Sequence, residues 1–205
     1  MTATVAIVDY GMGNLDSVMR AFEEVGAKAC VTDQAPEIEA ADFIVLPGVG
    51  AFPDAMRRIR DRGLEKVLED QVLGEKAPFL GICLGMQLLA TVGLEGVETP
   101  GLGWIDGSVR RFVPTAEDRR IPHVGWNEVT PVGSPALFDG IAPGTDFYFV
   151  HSYHFDGAPP DVVATTPYCG GFASVVGRDN IHAVQFHPEK SQRHGLRLLQ
   201  NFLKF

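Results

Sequence analysis

Short apolar runs alternate, along the first half of the chain, with segments whose apolar residues recur at helical spacing. The runs Thr4–Asp9, Lys28–Thr32 and Phe43–Gly48 are typical of strands that a parallel sheet buries on both faces. Between the first two runs, apolar positions from Leu15 to Phe22 are spaced as on one face of a helix, and Gly26 predicts its end. This order of strand, helix and strand predicts right-handed crossovers and a doubly wound sheet.

The alternation continues to the middle of the chain and then changes. Pro53 predicts the start of a helix that continues, with a break, to Leu68. The stretch Pro78–Ala90 is then interpreted as a short apolar strand, a sharp turn and the start of a helix. Between Gly101 and about Val176 the segments are short, β-rich and separated by Gly and Pro, which predicts antiparallel strands added to the sheet. Helical spacing returns from Gln192 to Phe205.

The expected fold class is therefore α/β, with a doubly wound, mixed and mostly parallel sheet, helices on both faces and additional antiparallel strands. No linker, repeat or low-complexity segment interrupts the 205 residues, so residues 1–205 are expected to form a single domain. The 26 acidic residues outnumber the 17 basic ones, which gives a net charge of −9. With no basic run, this composition argues against nucleic acid and anionic membranes as partners.

The apolar runs and the cysteines indicate where the protein is located and whether its thiols are reduced. The longest apolar runs span only a few residues, so no membrane span is expected. Met1–Thr4 leads directly into a predicted strand, so no signal peptide is predicted. Cys30, Cys83 and Cys169 are an odd set without metal-site spacing, which fits reduced thiols in a cytoplasmic protein. Cys30 is expected in the core, and Cys169 in a turn without a role in the chemistry.

Cys83 lies at the centre of the pattern Gly-x-Cys-x-Gly, between a predicted strand and a predicted helix. Gly81 and Gly85 stand two residues on either side of it, as in the nucleophile elbow of hydrolases. Such a turn needs small neighbours and places the sulfur beside a helix N-terminus and the N–H of Leu84, which favour negative charge. The pattern fits equally a buried cysteine between two packing glycines, and the elbow alone leaves both interpretations open.

His187 and Glu189 supply the groups that a cysteine nucleophile needs. The segment Asn180–Glu189 is interpreted as a strand that runs into Pro188. Residues two apart on a strand share a face, so His187 and Glu189 are expected to point the same way, as a base and the carboxylate that orients it. A polar strand end without catalytic function is the alternative.

Two segments together resemble the signature of the class I (triad) glutamine amidotransferases: Leu80–Leu88 around the cysteine and Gln185–Glu189 around the histidine. Five further segments resemble the glutaminase subunits of imidazole glycerol phosphate synthase, an enzyme of histidine biosynthesis. They are Asp9–Asn14, Leu46–Phe52, Pro122–Asn127, Tyr148–Tyr153 and Lys190–Ser191. The resemblance extends from about residue 5 to Phe205 and implies a flavodoxin-like fold.

The resemblance also implies a reaction, hydrolysis of L-glutamine to L-glutamate and ammonia without a cofactor, and roles for individual residues. It assigns the catalytic triad to Cys83, His187 and Glu189, and the backbone oxyanion hole to Val49 and Leu84. The substrate-binding residues that it implies are Gly48, Gly50, Gln87, Glu95, His151, Ser152 and Tyr153. The residues that it implies at a partner interface are Tyr10, Asn14, Trp126 and Tyr148.

The implied partner is a (β/α)8-barrel cyclase subunit, joined to this chain as a heterodimer. Ammonia would pass through that barrel to form imidazole glycerol phosphate and AICAR. Two other interpretations stay open: a glutaminase subunit of another synthase, such as pyridoxal phosphate synthase, and a hydrolase or binding module with a cysteine elbow.

Two further patterns are not expected to form sites. Gly11 and Gly13 follow a strand, but Asp16 stands where a dinucleotide fingerprint needs a third glycine. His151 and His154 are three apart, so on one strand they would face opposite sides and make a poor metal-ligand pair. No metal is expected.

Overall fold

In the computed structural model, which describes residues 2–157 and 160–205, one half of the main sheet is parallel. Its five strands are β1 (Thr4–Val8), β2 (Lys28–Thr32), β3 (Phe43–Gly48), β4 (Phe79–Cys83) and β13 (Ile181–Val184). They are ordered β2-β1-β3-β4-β13, and every neighbouring pair is parallel. The carboxyl ends of these strands therefore lie along one edge, where open α/β sheets place their sites.

Further strands extend the sheet beyond β13. They are β5 (Val92–Gly93), β6 (Thr99–Pro100), β7 (Gly107–Arg111), β8 (His123–Pro131), β9 (Thr145–His151), β10 (Tyr153–Gly157), β11 (Val162–Thr166) and β12 (Phe172–Arg178). The order continues from β13 through β12, β10, β7 and β5 to β6, and β11 joins β12 to a ribbon of β8 and β9. The pairs of β12 with β13, β10 and β11 are antiparallel, as the sequence predicted for this region.

Helices cover both faces of the parallel half. They are α1 (Leu15–Glu24), α2 (Ala35–Glu39), α3 (Phe52–Asp61), α4 (Leu64–Glu69), α5 (Leu84–Gln87) and α6 (Gln192–Phe202). A π-helical turn, Asp70–Gly74, follows α4, and 3₁₀ turns occur at Ala136–Phe138 and Pro188–Lys190. No helix in the described part of the chain is long and apolar enough to span a membrane.

Alternation along the central strands divides the core into two layers. Val5 and Ile7 of β1 pack with the buried faces of α1 and α6, whereas Ala6 and Val8 pack on the other face with α3 and α4. Because neighbouring residues of one buried strand point to opposite faces, an unbroken apolar run is what such a strand requires. The expected doubly wound α/β fold with added antiparallel strands is confirmed.

Two local predictions were wrong. Cys30 is exposed, not part of the core, because β2 is the edge strand and most of its residues are exposed or only half-buried. The last strand ends at Val184, so His187 and Glu189 do not share a strand face. His187 has extended backbone, and Glu189 lies in the following 3₁₀ turn, which brings the two side chains together by a different geometry.

Candidate active site

Cys83 occupies a strained elbow at the carboxyl end of β4, directly before α5. Its φ of 55° and ψ of −108° lie where residues with a Cβ are rarely found, as expected for a nucleophile elbow. A Cβ at Gly85 would lie 1.7 Å from the carbonyl oxygen of Leu46, and one at Gly81 would lie 2.8 Å from that of Gly85. Both flanking positions therefore exclude any larger residue without a shift of the backbone.

His187 reaches the elbow from the neighbouring strand. β13 pairs with β4 in parallel, with Val184 opposite Ile82, so the segments that follow the two strands lie side by side. Nδ1 of His187 is 2.7 Å from Oε1 of Glu189, and both side chains are almost completely buried. Because a carboxylate oxygen only accepts hydrogen bonds, Nδ1 carries the proton, and Nε2 is the nitrogen left to face Cys83.

The pKa of His187 reflects two negative neighbours. Burial lowers it, but interactions with a Cys83 thiolate and with the Glu189 carboxylate outweigh burial and raise the pKa from 6.5 to about 10. Nε2 of His187 makes no hydrogen bond of good geometry to any described residue, Cys83 included. A cation beside a cysteine favours the thiolate, which is the form of the side chain that attacks a carbonyl carbon.

Ser191 fixes the loop that carries His187. Its hydroxyl donates to the carbonyl oxygen of His187 at 2.6 Å and accepts the N–H of Tyr148 at 3.0 Å. The N–H of His187 in turn donates to the carbonyl of Tyr148 at 2.9 Å. Ser191 is fully buried. The backbone of His187 is therefore linked to Tyr148 of β9 through both its N–H and its carbonyl group.

A cavity of about 340 Å³ opens over the sulfur of Cys83, within the range typical of small-molecule sites. Its lining residues are Val49, Gly50, Cys83, Leu84, Gln87, Glu95, Pro122, Val150, His151, Ser152 and Tyr153. All the expected oxyanion and substrate residues except Gly48 are in this set. Gly48 lies behind the lining, where a Cβ would be 1.9 Å from the hydroxyl oxygen of Tyr10.

Gln87 and Glu95 both line the cavity, and each side chain is hydrogen-bonded to the backbone. The amide nitrogen of Gln87 donates to the carbonyl of Tyr153 at 2.9 Å. Oε2 of Glu95 accepts the N–H of Phe52 at 2.7 Å, at the N-terminus of α3. This hydrogen bond fixes the Glu95 side chain at the cavity wall.

The histidine pair was predicted with the wrong geometry. β9 ends at His151 and β10 begins at Tyr153, so strand alternation does not apply from His151 to His154. Both rings pack against Phe112, with centroids 5.2 and 4.6 Å away. The described residues contain no group of three or more His, Cys, Asp or Glu side chains that could hold a metal.

Three residues of the site were not predicted from the sequence. Pro122 and Val150 line the cavity, and the amide nitrogen of Gln185 lies 3.6 Å from Sγ of Cys83. Gln185 is completely buried. A glutamine in an otherwise apolar segment, two residues before His187, was the available signal for it.

The expected interface residues divide into exposed and buried ones. Tyr10 is fully buried, so the prediction that its side chain lies at a partner surface is wrong. Its ring fits in the interior because Gly48 has no side chain to occupy the place of the Tyr10 hydroxyl. Asn14 and Trp126 are exposed, and Tyr148 is half-buried with its ring 6.0 Å from that of Trp126.

An exposed apolar strip borders the cavity. It consists of Val49, Val124, Trp126 and Val150, which are 37–57% exposed. Two of them, Val49 and Val150, also line the cavity, so a protein docked on the strip would cover the mouth of the site.

Comparison with known families identifies this arrangement. The family model described as "Glutamine amidotransferase class-I" matches residues 6–205. The chain belongs to the class-I glutamine amidotransferase family. Among curated members, it is 48% identical over 212 residues to the imidazole glycerol phosphate synthase subunit HisH of Brucella abortus (strain 2308), covering 98% of each chain. The subunits of the same name from Rhodopirellula baltica and Ruegeria pomeroyi are 51% and 47% identical, with 96–97% of each chain covered.

Solved structures place the fold in the same group. A crystal structure of a glutamine amidotransferase superposes with a TM-score of 0.75 at 19% identity, with 97% of each chain covered. A glutamine amidotransferase from Thermotoga maritima gives a TM-score of 0.65 at 19% identity, covering 100% of this chain and 84% of that one. At this identity the likeness concerns the fold of the class-I amidotransferases alone.

Proposed function

We propose that this chain is the glutaminase subunit of an imidazole glycerol phosphate synthase and acts in histidine biosynthesis. It hydrolyses L-glutamine to L-glutamate and passes the ammonia to a cyclase subunit. The observation that carries the proposal is a strained cysteine elbow at the floor of a cavity, with a buried His187–Glu189 pair beside it. Curated relatives 47–51% identical over nearly the whole chain carry the name of that synthase subunit, which favours it over other synthases.

The reaction begins with attack of the Cys83 thiolate on the side-chain carboxamide carbon of glutamine. The carbonyl electron pair moves to oxygen, and the N–H groups of Leu84 and Val49 hold the oxyanion. His187 then gives the proton on Nε2 to the departing nitrogen, so ammonia leaves and a γ-glutamyl thioester remains. Each oxyanion donor is typically worth about 10²–10³ in rate.

Hydrolysis of the thioester returns the enzyme to its first state. His187, now neutral, takes a proton from water, and the hydroxide attacks the thioester to release glutamate and the Cys83 thiolate. Glu189 holds the proton on Nδ1 throughout and stabilises each imidazolium. None of these steps requires a metal or a cofactor.

Substrate recognition is assigned to the cavity wall. Glu95 would pair with the α-ammonium group of glutamine, and Gln87 with the same end of the molecule. The segment His151–Tyr153 would bind the α-carboxylate, with Gly48 and Gly50 shaping the loop that carries Val49. These groups line or support one cavity, which supports the assignment.

The partner is proposed to be a (β/α)8-barrel cyclase subunit in a heterodimer, with both chains in the cytoplasm and residues 1–205 acting as one domain. The exposed apolar strip at the cavity mouth supports a docking surface there, with Trp126, Tyr148 and Asn14 as contacts. Docking at the mouth would keep ammonia from water, where it would be protonated and lose its nucleophilicity.

The proposal is tested with the purified chain and the cyclase subunit of the same organism. Glutamate and imidazole glycerol phosphate should form together from glutamine and the phosphoribulosyl substrate, and both should stop with Cys83→Ala. If glutamate formed without the synthase product, the partner assignment would fail. If the chain supplied ammonia to a pyridoxal phosphate synthase instead, the assignment to histidine biosynthesis would be wrong.

A further inference from the structure

The carbonyl oxygen of Tyr153 lies at the junction of two hydrogen-bonded branches. It accepts Nδ1–H of His151 at 2.7 Å and the amide N–H of Gln87 at 2.9 Å. Because a carbonyl oxygen can only accept hydrogen bonds, both of its partners must be donors. Each donor in turn fixes the next group along its branch.

The first branch runs to β8. Since His151 donates from Nδ1, its Nε2 is an acceptor, and Nδ1 of His123, 3.0 Å away, must donate to it. Nε2 of His123 then accepts the side-chain amide of Asn127 at 3.1 Å. Burial keeps both rings neutral, since it lowers the pKa of His123 to about 4 and that of His151 to about 3.

The second branch runs to the nucleophile. The amide nitrogen of Gln87 that donates to Tyr153 also donates to Oε1 of Gln185 at 2.9 Å. With its oxygen held there, Gln185 turns its amide nitrogen to Cys83, 3.6 Å from Sγ. Gln87 and Gln185 are both buried, so water does not compete for these groups.

We propose that Gln185 is a positioning residue that donates a hydrogen bond to the Cys83 sulfur, and that the Tyr153 carbonyl sets its orientation through Gln87. The same carbonyl fixes the Nδ1–H tautomer of His151 and His123 and so joins strand β8 to the nucleophile. The inference rests on the proposed glutaminase function, for which it supplies a residue outside the triad. An N–H donor stabilises a thiolate more than a thiol, because hydrogen bonds to charged acceptors are the stronger ones.

The first test measures the thiolate directly. In Gln185→Met the side chain keeps its length but loses the hydrogen-bond donor. The pH dependence of Cys83 alkylation by iodoacetamide, measured by peptide mass spectrometry, should therefore shift to higher pH. The kcat for glutamine with the synthase partner should fall about 10- to 100-fold with little change in KM. Gln200→Met, an exposed change on α6, is the matched control and should leave both unchanged.

The second test leaves Gln185 in place and reports on the network even if Gln185→Met does not fold. ¹⁵N NMR of the histidine-labelled chain at pH 7, assigned with His123→Gln and His151→Gln, should show both rings as Nδ1–H tautomers. An Nε2–H tautomer at either ring, or an unshifted alkylation profile in folded Gln185→Met, would overturn the network. Neither readout uses glutamine, so a chain that met both but released no glutamate would overturn the proposed function and leave the network standing.

Discussion

Replacing Gly48 with alanine should disturb the site through the residue packed behind it. The φ of Gly48 is outside the left-handed region, so alanine could adopt its backbone. The new Cβ, however, would lie 1.9 Å from the hydroxyl oxygen of Tyr10 and 3.1 Å from Cβ of Leu84. Overpacking of this kind costs about 1–3 kcal/mol. The loop that carries Val49 would have to move, and a shift of about 1 Å in a site can cost on the order of 10² in rate.

Removing the hydroxyl should restore much of the loss. The Tyr10 hydroxyl is buried and has no hydrogen-bond partner among the described residues, and burial raises the pKa of Tyr10 well above its ordinary value, with a smaller contribution from Cys83. Tyr10→Phe should therefore keep stability or raise it by about 1 kcal/mol. In the double variant, the nearest ring atom would be 3.3 Å from the new Cβ, which a small adjustment accommodates.

The assay is a double-mutant cycle on the free energy of unfolding, from urea denaturation, and on glutamine turnover with the synthase partner. The coupling between Gly48→Ala and Tyr10→Phe should be about 1 kcal/mol or more, in the favourable direction. Gly74→Ala is the matched control, because no atom lies within 4 Å of its Cβ position and its φ is also ordinary. Strictly additive effects of the two changes would refute the packing of Tyr10 behind the Val49 loop.

Three further outcomes are expected. Cys30→Ala and Cys169→Ala should keep glutamine hydrolysis, and a glutamine-derived diazo-ketone should label Cys83 alone, as mass spectrometry would show; label at another cysteine would contradict the assignment. With ammonium at raised pH in place of glutamine, the Cys83→Ala complex should still form the synthase product, whereas loss of that activity would place Cys83 in the synthase step. Burial lowers the pKa of His182 to about 4, so the folded state binds fewer protons than the unfolded state between about pH 4 and 6.5. The contribution of His182 to stability should therefore fall by at most about 2 kcal/mol from pH 7.5 to 5, and His182→Phe should remove that part of the pH dependence in urea titrations; an unchanged slope would contradict the shift.

The strands and the elbow were predictable because their signals are local. An apolar run such as Phe43–Gly48 has no other stable place than the interior of a sheet, and its predicted bounds are those of β3. The Gly-x-Cys-x-Gly pattern itself spans only five residues, although the atom that excludes a larger residue at Gly85 is the carbonyl oxygen of Leu46 on the neighbouring strand. The local sequence pattern was therefore sufficient to predict the fold class and the position of the nucleophile.

The remaining features depend on contacts that no local pattern encodes. Tyr10 is inside because Gly48, 38 positions later, leaves room for its hydroxyl. Gln185 gains its orientation from Gln87 across 98 positions. The pairing of His187 with Glu189 was predicted for the wrong reason, since a 3₁₀ turn after β13, and not strand alternation, brings them together.

The most direct measurement of the central claim is glutamate release from L-glutamine by the complex of this chain with its synthase partner and the partner's ligand. The wild-type complex should release glutamate, and the Cys83→Ala complex, with fold and partner binding intact, should release none. Substantial glutamate release by the folded Cys83→Ala complex would contradict the assignment of Cys83 as the nucleophile.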